Sequence, residues 1–395
     1  MKIFVLGLMF SEESLEKAYK HSKCGVQIAP HVFQRNLISG FENLQDVDLT
    51  VLNIIPIGSY PKRYKKLFIK EKTWGKNNVE IGFVNLPIVK RQIQKTRILK
   101  HIENYINKNG PNDVCILMYH VFKPFLQIAN KLKKKYPEIK ISMIMTDPIP
   151  GRGSRAKYMN KKGIKQGDEL VTLSNKCVDA FVLLTKHMSE PVEVGARPYV
   201  VVECISNPKQ KKAVEKSNSK NICLYTGAVN KEYGICDLAE AFSMMDNAQL
   251  WICGGGDAHE YLKEMSKNHE NIKYFAFLDQ DKVAFLRDKC DFLINPRRPS
   301  GTFTKYSFPS KTAEYMASGK PVIMYKLEGV LDEYDEYLNY LTSNDSEGIR
   351  KELLEIFSRD YSEYTKKSAA GRDFIIERKS PTSQAEKIVN MLRKL

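Results

Sequence analysis

Short, almost wholly apolar runs alternate with amphipathic stretches along the chain. Residues 2–8, 49–55, 113–119, 139–146 and 180–184 are of the first kind, and residues 30–42 and 124–135 of the second. Continuous apolar strands between amphipathic helices predict a parallel sheet covered on both faces. Residues 207–221 (NPKQKKAVEKSNSKN) are polar, with a proline near their start, and read as a linker. The alternation then restarts with strands at 222–226, 249–253, 272–275 and 292–295. A helix carries Leu238, Phe242 and Met245 at i, i+4 and i+7, and another is expected near residues 259–266. The last segment, 383–395, places Ile388, Met391 and Leu392 at helical spacing. The pattern therefore predicts two α/β domains, residues 1–205 and 206–379, followed by a final helix at 380–395. Open α/β sheets bind ligands at the carboxyl ends of their strands.

One stretch carries most of the candidate chemistry. Residues 295–323 read NPRRPSGTFTKYSFPSKTAEYMASGKPVI: a strand end, a basic loop, a helix opened by Pro309-Ser310 and closed by Gly319, then a second strand. A helix start presents unpaired N–H groups and a partial positive charge, which suits a phosphate. Lys311 lies in the first turn, and Arg297 and Arg298 lie just upstream. Arginine gives bidentate, charge-assisted bonds to phosphate, and Arg297 is the favoured one of the pair. Glu314 comes one turn after Ser310, so both share a face and the carboxylate can accept from ribose hydroxyls. Together these groups suit a nucleoside diphosphate.

This segment resembles the donor-site motif of the retaining GT-B glycosyltransferases of family 4, in which a Glu, seven residues and a second Glu precede a Met-Ala-x-Gly-x-Pro-Val run. Glu314 matches the second Glu, and residues 315–322 match the run after it. The first Glu position holds Tyr306, a departure that leaves the contact to the transferred sugar open. Phe308 to Lys311 (FPSK) resemble a subgroup of bacterial surface-polysaccharide transferases. Tyr225-Thr226-Gly227-Ala228, with Gly234 beyond, resembles the family's first donor-domain loop. Ala228 and Tyr233 stand where the family often has Arg and Lys, so Lys231, Arg297 or Lys311 would supply the charge. Gly254-Gly255-Gly256 matches the family's strand–Gly-x-Gly element, and glycine lets backbone approach a ligand closely. Each of these glycine loops also has a plain reading as a tight turn.

The resemblance implies a GT-B fold: two Rossmann-like α/β domains facing across a cleft, with the last helix packing back on the first domain. It implies a hexosyltransferase that uses a nucleotide-diphosphate sugar, UDP-sugar favoured, with no metal required. Arg297, Lys311 and the helix start at Ser310 would stabilise the departing diphosphate, and Gly25, Gly227, Gly254, Gly255, Ser310, Lys311 and Glu314 would hold the nucleotide. In the first domain Asp147 ends the strand ISMIMT and could orient or deprotonate the acceptor hydroxyl, or merely cap the next segment. His120 ends the neighbouring apolar run and reads as structural or functional. The implied acceptor is a polyprenyl-diphosphate-linked or other glycan in surface or capsular polysaccharide assembly. The alternative is a catalytically silent GT-B protein that binds a glycan or a partner enzyme.

Composition changes this picture in one respect. The 395 residues carry a formal net charge of +16, with 62 Lys+Arg against 46 Asp+Glu. Residues 1–200 hold 33 basic and 17 acidic residues (33 − 17 = +16), and residues 201–395 hold 29 of each. The excess lies wholly in the first half, which suggests an anionic partner there. Residues 61–75 (PKRYKKLFIKEKTWG) place Tyr64, Leu67 and Phe68 at i, i+3 and i+4 among six basic residues. They read as an amphipathic segment for an anionic membrane surface, or as a charged surface helix. Residues 151–167, with six basic residues and four glycines, read as a flexible basic loop for a diphosphate-bearing acceptor, or as a solvated loop. A nucleic-acid partner is disfavoured, because no basic recognition helix of a known motif appears. The eight cysteines form no CxxC pair, which suits free thiols in a reducing cytoplasm. No run of about 18 apolar residues occurs, and the apolar start reads as a first strand, so the expected location is cytoplasmic, peripheral on the inner face of the membrane.

Overall fold

A computed structural model describes residues 1–26, 28–153, 159–206, 221–299 and 304–395. The chain divides into two compact units, Met1–Ile205 with Ser380–Leu395, and Ser206–Lys379. Of the expected linker, residues 207–220 lie outside the described residues, and Asn221 already begins a strand.

The first unit runs β1 (Lys2–Gly7), α1 (Glu12–His21), α2 (Ala29–Glu42), β2 (Asp48–Asn53), β3 (Phe68–Ile69), β4 (Lys72–Trp74), β5 (Asn78–Glu80), β6 (Phe83–Val84), α3 (Val89–Asn109), β7 (Val114–Tyr119), α4 (Lys123–Lys135), β8 (Lys140–Met145), α5 (Lys161–Cys177), β9 (Ala180–Leu183) and β10 (Tyr199–Val201). Eight strands form one sheet in the order β10-β9-β8-β7-β1-β2-β5-β4. All its pairings are parallel except the edge pair β4–β5. Strands β1 and β7 are buried along their whole length, as a sheet covered on both faces requires. The strand order reverses direction at β1 and β7, which makes their carboxyl ends a ligand-binding crevice by topology.

The second unit runs β11 (Asn221–Thr226), α6 (Ile235–Ser243), β12 (Ala248–Cys253), α7 (His259–Asn268), β13 (Ile272–Tyr274), α8 (Gln280–Lys289), β14 (Phe292–Asn295), α9 (Ser310–Ala317), β15 (Val322–Tyr325), β16 (Asn339–Leu341), α10 (Ser346–Ser358) and α11 (Tyr361–Arg378). Its six strands are all parallel, in the order β13-β12-β11-β14-β15-β16. Here the reversal lies between β11 and β14.

The final helix α12 (Pro381–Arg393) belongs to the first unit and starts two residues before the segment read from spacing. It lies on α2. Ala385, Ile388 and Leu392 share one apolar core with Leu37 and Phe41, and the Asn43 amide donates to Thr382 Oγ1 at 3.0 Å. The contact depends on Gly40. A Cβ there would stand 2.0 Å from the Pro381 carbonyl oxygen.

Two sequence-based expectations need correction. Residues 61–75 are not a helix. Tyr64 bridges Ser22 and is buried, whereas Phe68 lies in β3 and is 70% exposed, so the two aromatics do not share a face. Three apolar positions at i, i+3 and i+4 are too short a pattern to resist strand partners, here β6 for β3 and β5 for β4. Residues 151–167 are not all loop either. Residues 154–158 lie outside the described residues, but α5 begins at Lys161, capped by the Asn160 side chain on the Gly163 N–H at 2.9 Å. Arg152 is tied to Asp168 and Glu193 at 2.8 and 2.9 Å. A Cβ on Gly167 would meet the Pro150 carbonyl oxygen at 1.8 Å, so that glycine serves packing.

Gly40→Ala is expected to lower the stability of the first unit by about 1–3 kcal/mol through overpacking against Pro381. Urea unfolding with an unchanged slope and a lower midpoint would show it, whereas an unchanged midpoint would mean that α12 does not depend on the close approach.

Candidate functional site

The loops at the carboxyl ends of β11, β12 and β14 interlock in the second unit. The Gly227 N–H donates to the Cys253 carbonyl at 2.9 Å. Gly254, at φ +142°, leaves room for the Gly227 carbonyl, which would stand 1.7 Å from a Cβ there. Gly255 is exposed, with no atom within 4 Å of where its Cβ would be, so a ligand can reach its backbone. Gly234 takes φ +81° against the Pro296 carbonyl, which fastens the end of the β11 loop to the loop after β14.

The two arginines after β14 have different surroundings. The Arg298 guanidinium pairs with Asp237 of α6 at 2.8 Å, a tie to the scaffold. The Arg297 guanidinium lies 5.2 Å from the centre of the Tyr233 ring and donates to Ser307 Oγ at 3.4 Å. It is therefore held between the β11 loop and the segment that leads into α9. Burial pulls its pKa down, which shows how far the charge is removed from water.

Helix α9 begins at Ser310 with no side chain capping its first turn and no acidic residue in it. Ser310 is exposed. The approach to the helix is pinned by Phe308, buried against the Tyr334 ring at 5.4 Å between centres. Ionic contacts then define the next turn. Glu314 accepts from Lys311 Nζ at 2.7 Å and from the Arg287 guanidinium of α8 at 3.1 Å, one partner on each carboxylate oxygen. Both Lys311 and Glu314 are part-exposed, so these bonds can be exchanged for a ligand's.

Tyr315 fixes the helix to the sheet. Its phenol accepts from the Thr226 N–H at 2.8 Å, donates toward the Thr226 carbonyl at 3.2 Å and lies 3.1 Å from Thr226 Oγ1. The ring is fully buried, and burial pushes the phenol pKa far up, so it remains a neutral donor and acceptor. Gly227, Gly254, Gly255 and Arg297 thus follow the carboxyl ends of β11, β12 and β14, and Ser310, Lys311 and Glu314 lie in the first turns of α9. Arg287 and Tyr315 were missed from sequence. Arg287 gives no local signal, because its partner is 27 residues away; Tyr315 stood inside the motif, but its role depends on where β11 ends.

Gly25 and Asp147 lie in the first unit. Gly25 is exposed between α1 and α2, with no atom within 4 Å of where its Cβ would be, and α1 separates it from the end of β1. Asp147 is exposed just beyond β8. Next to it, at the end of the paired strand β7, His120 takes φ +63°, a costly backbone for a residue other than glycine. Its N–H donates to the Ile144 carbonyl at 2.8 Å, which locks the turn. Burial lowers the His120 pKa and the Asp147 carboxylate partly opposes that, so the imidazole is mainly neutral near pH 7. The two residues follow the carboxyl ends of the paired strands β7 and β8.

Residues 206–374 match the family of glycosyl transferases group 1. No curated protein matches the sequence. In fold the chain is similar to sucrose-phosphate synthase from Thermosynechococcus elongatus, at 13% identity and TM-score 0.62, over 100% of this chain and 98% of that one. It is similar to a lipopolysaccharide outer core galactosyltransferase at 14% identity and TM-score 0.60, with 100% of each chain covered. It is also similar to the Anabaena protein HepE in complex with UDP, at 12% identity and TM-score 0.60, again over 100% of each. These likenesses establish the fold class, that of the GT-B glycosyltransferases.

Tyr315→Phe removes the hydroxyl that serves the Thr226 N–H and leaves a buried backbone donor unpaired. The expected loss of stability is about 1–3 kcal/mol. Thermal unfolding read beside hydrogen exchange at Thr226 tests it; an unchanged melting temperature with unchanged protection would show that the tie is dispensable.

Proposed function

We propose that this chain, whose residues 206–374 match glycosyl transferases group 1, is a glycosyltransferase that transfers a hexose from a UDP-sugar, with retention, to a lipid-linked glycan. The observation that supports this most is the uncapped start of α9 with Lys311 and Glu314 one turn apart, beside Gly227 and Arg297. The helix N–H groups and the cations Arg297 and Lys311 receive the diphosphate. Glu314 gives up its bond to Lys311 and accepts from the ribose hydroxyls, while Arg287 keeps the carboxylate in place. UDP is favoured over other diphosphates, and HepE, similar in fold, is in complex with UDP.

In the reaction the bond from the anomeric carbon to the diphosphate oxygen breaks, and its electron pair leaves with UDP. The acceptor oxygen forms the new bond on the same face and loses its proton. Arg297, Lys311 and the helix start oppose the charge that grows on the leaving oxygens, which is the electrostatic part of catalysis. No metal is assigned to that task. Asp147 orients the acceptor hydroxyl and takes its proton.

The acceptor is a polyprenyl-diphosphate-linked or other glycan used in bacterial surface, exopolysaccharide or capsule assembly. The protein works at the cytoplasmic face of an anionic membrane and has no nucleic-acid partner. No helix among the described residues is long and apolar enough to cross a membrane. Burial pushes the Cys290 thiol up to about 12, which keeps it an unreactive packing group.

Calorimetric titration with UDP, GDP and ADP tests the donor reading. UDP is expected to bind best, and Glu314→Ala to weaken it by roughly 1–3 kcal/mol, or about ten- to a hundredfold. Equal affinity of the variant for UDP would remove Glu314 from the site, and binding by none of the three would favour a silent scaffold, as Tyr306 in place of the first Glu allows. Asp147→Asn is expected to leave UDP affinity intact and lower turnover by about a hundredfold or more. Unchanged turnover would assign Asp147 to capping alone.

A further inference from the structure

The basic excess of the first unit is not spread evenly. Two segments, Ile57–Arg63 and Pro87–Arg91, enclose an open cavity of about 570 Å³. Four cations line it: Lys62, Arg63, Lys90 and Arg91. None of the four makes an ion pair among the described residues, whereas Lys2, Lys133, Arg298 and Lys379 do. Lys90 is the most telling. It is only 6% exposed, and its ammonium has two neutral acceptors, the Ile57 carbonyl at 3.2 Å and Asn85 Oδ1 at 3.4 Å. A buried charge without a counter-charge is costly unless a ligand brings one. Burial and the neighbouring Arg91 lower its pKa to about 8, the mark of that uncompensated charge.

The cavity is held in shape. Asn85 is fully buried; its amide donates to the Gly58 carbonyl at 3.0 Å, and its N–H to the Leu67 carbonyl at 2.7 Å. The Tyr60 N–H donates back to the Asn85 carbonyl at 2.9 Å. The Arg91 guanidinium lies 4.5 Å from the centre of the Phe122 ring, which fixes its charge at the wall. Helix α3 begins here, with no side chain capping it and no acidic residue in its first turn.

The rim is of opposite character. Leu86, Ile88 and Val89 are exposed, Ile88 by 86%. Ile88 takes φ +66°, a strained backbone for a β-branched residue, and that backbone holds an apolar side chain out in water. A cationic cavity bordered by projecting apolar side chains matches a molecule with an anionic head and an apolar tail.

We propose that this cavity binds the phosphate head of an amphiphile, with Lys62, Arg63, Lys90 and Arg91 on the phosphate and Leu86, Ile88 and Val89 in the apolar phase. The inference stands on the first unit alone and does not require the donor reading. The phosphate can belong to a membrane phospholipid or to a lipid-linked diphosphate acceptor, and the head-group chemistry is the same for both.

The test is flotation of the full chain with vesicles of phosphatidylcholine alone, with added phosphatidic acid, and with phosphatidylserine at equal surface charge, each with and without soluble inorganic pyrophosphate. The expected result is a several-fold preference for phosphatidic acid that pyrophosphate abolishes. Arg63→Glu, an exposed position, should lose the preference. Ile88→Asp should lose vesicle binding and keep pyrophosphate binding. Both variants should keep UDP affinity, which separates this result from the donor reading. Equal binding to the two anionic vesicles without competition would mean that surface charge suffices and would overturn the cavity. Pyrophosphate binding without any vesicle binding would overturn the amphiphile. Preference for phosphatidic acid assigns the phospholipid source; displacement from those vesicles by a short-chain polyprenyl diphosphate at far lower concentration than pyrophosphate assigns the acceptor.

Discussion

The Tyr315 phenol on the backbone of Thr226 is the contact on which the candidate site of the second unit depends. One hydroxyl serves both the N–H and the carbonyl where β11 ends, so the rotation and height of α9 relative to the sheet are set by a single short link. Glu314 precedes Tyr315, and Lys311 lies one turn before it. Their direction at the face of the sheet results from that link and from the buried Phe308 that fixes the approach. A fully buried phenol with satisfied partners rigidifies its surroundings, whereas one with an unmet partner would weaken them.

Charge is arranged around that scaffold in short, part-exposed contacts. Glu314 lies between Lys311 and Arg287, and Arg297 is kept near by the face of Tyr233 and by Ser307. One carboxylate shared by two cations, with Arg297 held separately, leaves the positive charge in surplus. Arg298 does not share in this, because Asp237 neutralises it. Adjacent arginines thus have unlike tasks, one in the scaffold and one at the open face.

In the first unit the surplus charge has a different setting. His120 and Asp147 stand at the carboxyl ends of β7 and β8, one strand from the place where the order of the sheet reverses. The basic cavity lies instead beside the start of α3, on segments that the parallel sheet does not build.

Much was legible in the chain itself. The apolar runs at the strands and the Pro309-Ser310 start and Gly319 stop of α9 rest on local preference and period, which neighbouring residues decide among themselves, whereas Gly227 and Gly254 were singled out by resemblance to a family. Helix α3 escapes such a reading, since its buried face of Gln94, Ile98, Ile102 and Ile106 is hidden among basic residues whose charges face water. The short strands of residues 61–75 escape it too, because their partners at residues 78–84 lie outside any local pattern. Arg287 on Glu314, Tyr315 on Thr226, and Lys90 left without a counter-charge all depend on residues far apart in sequence. Local order is written in spacing, but which charges meet, and which are left alone, is decided only when the packed chain excludes water from some of them and not from others.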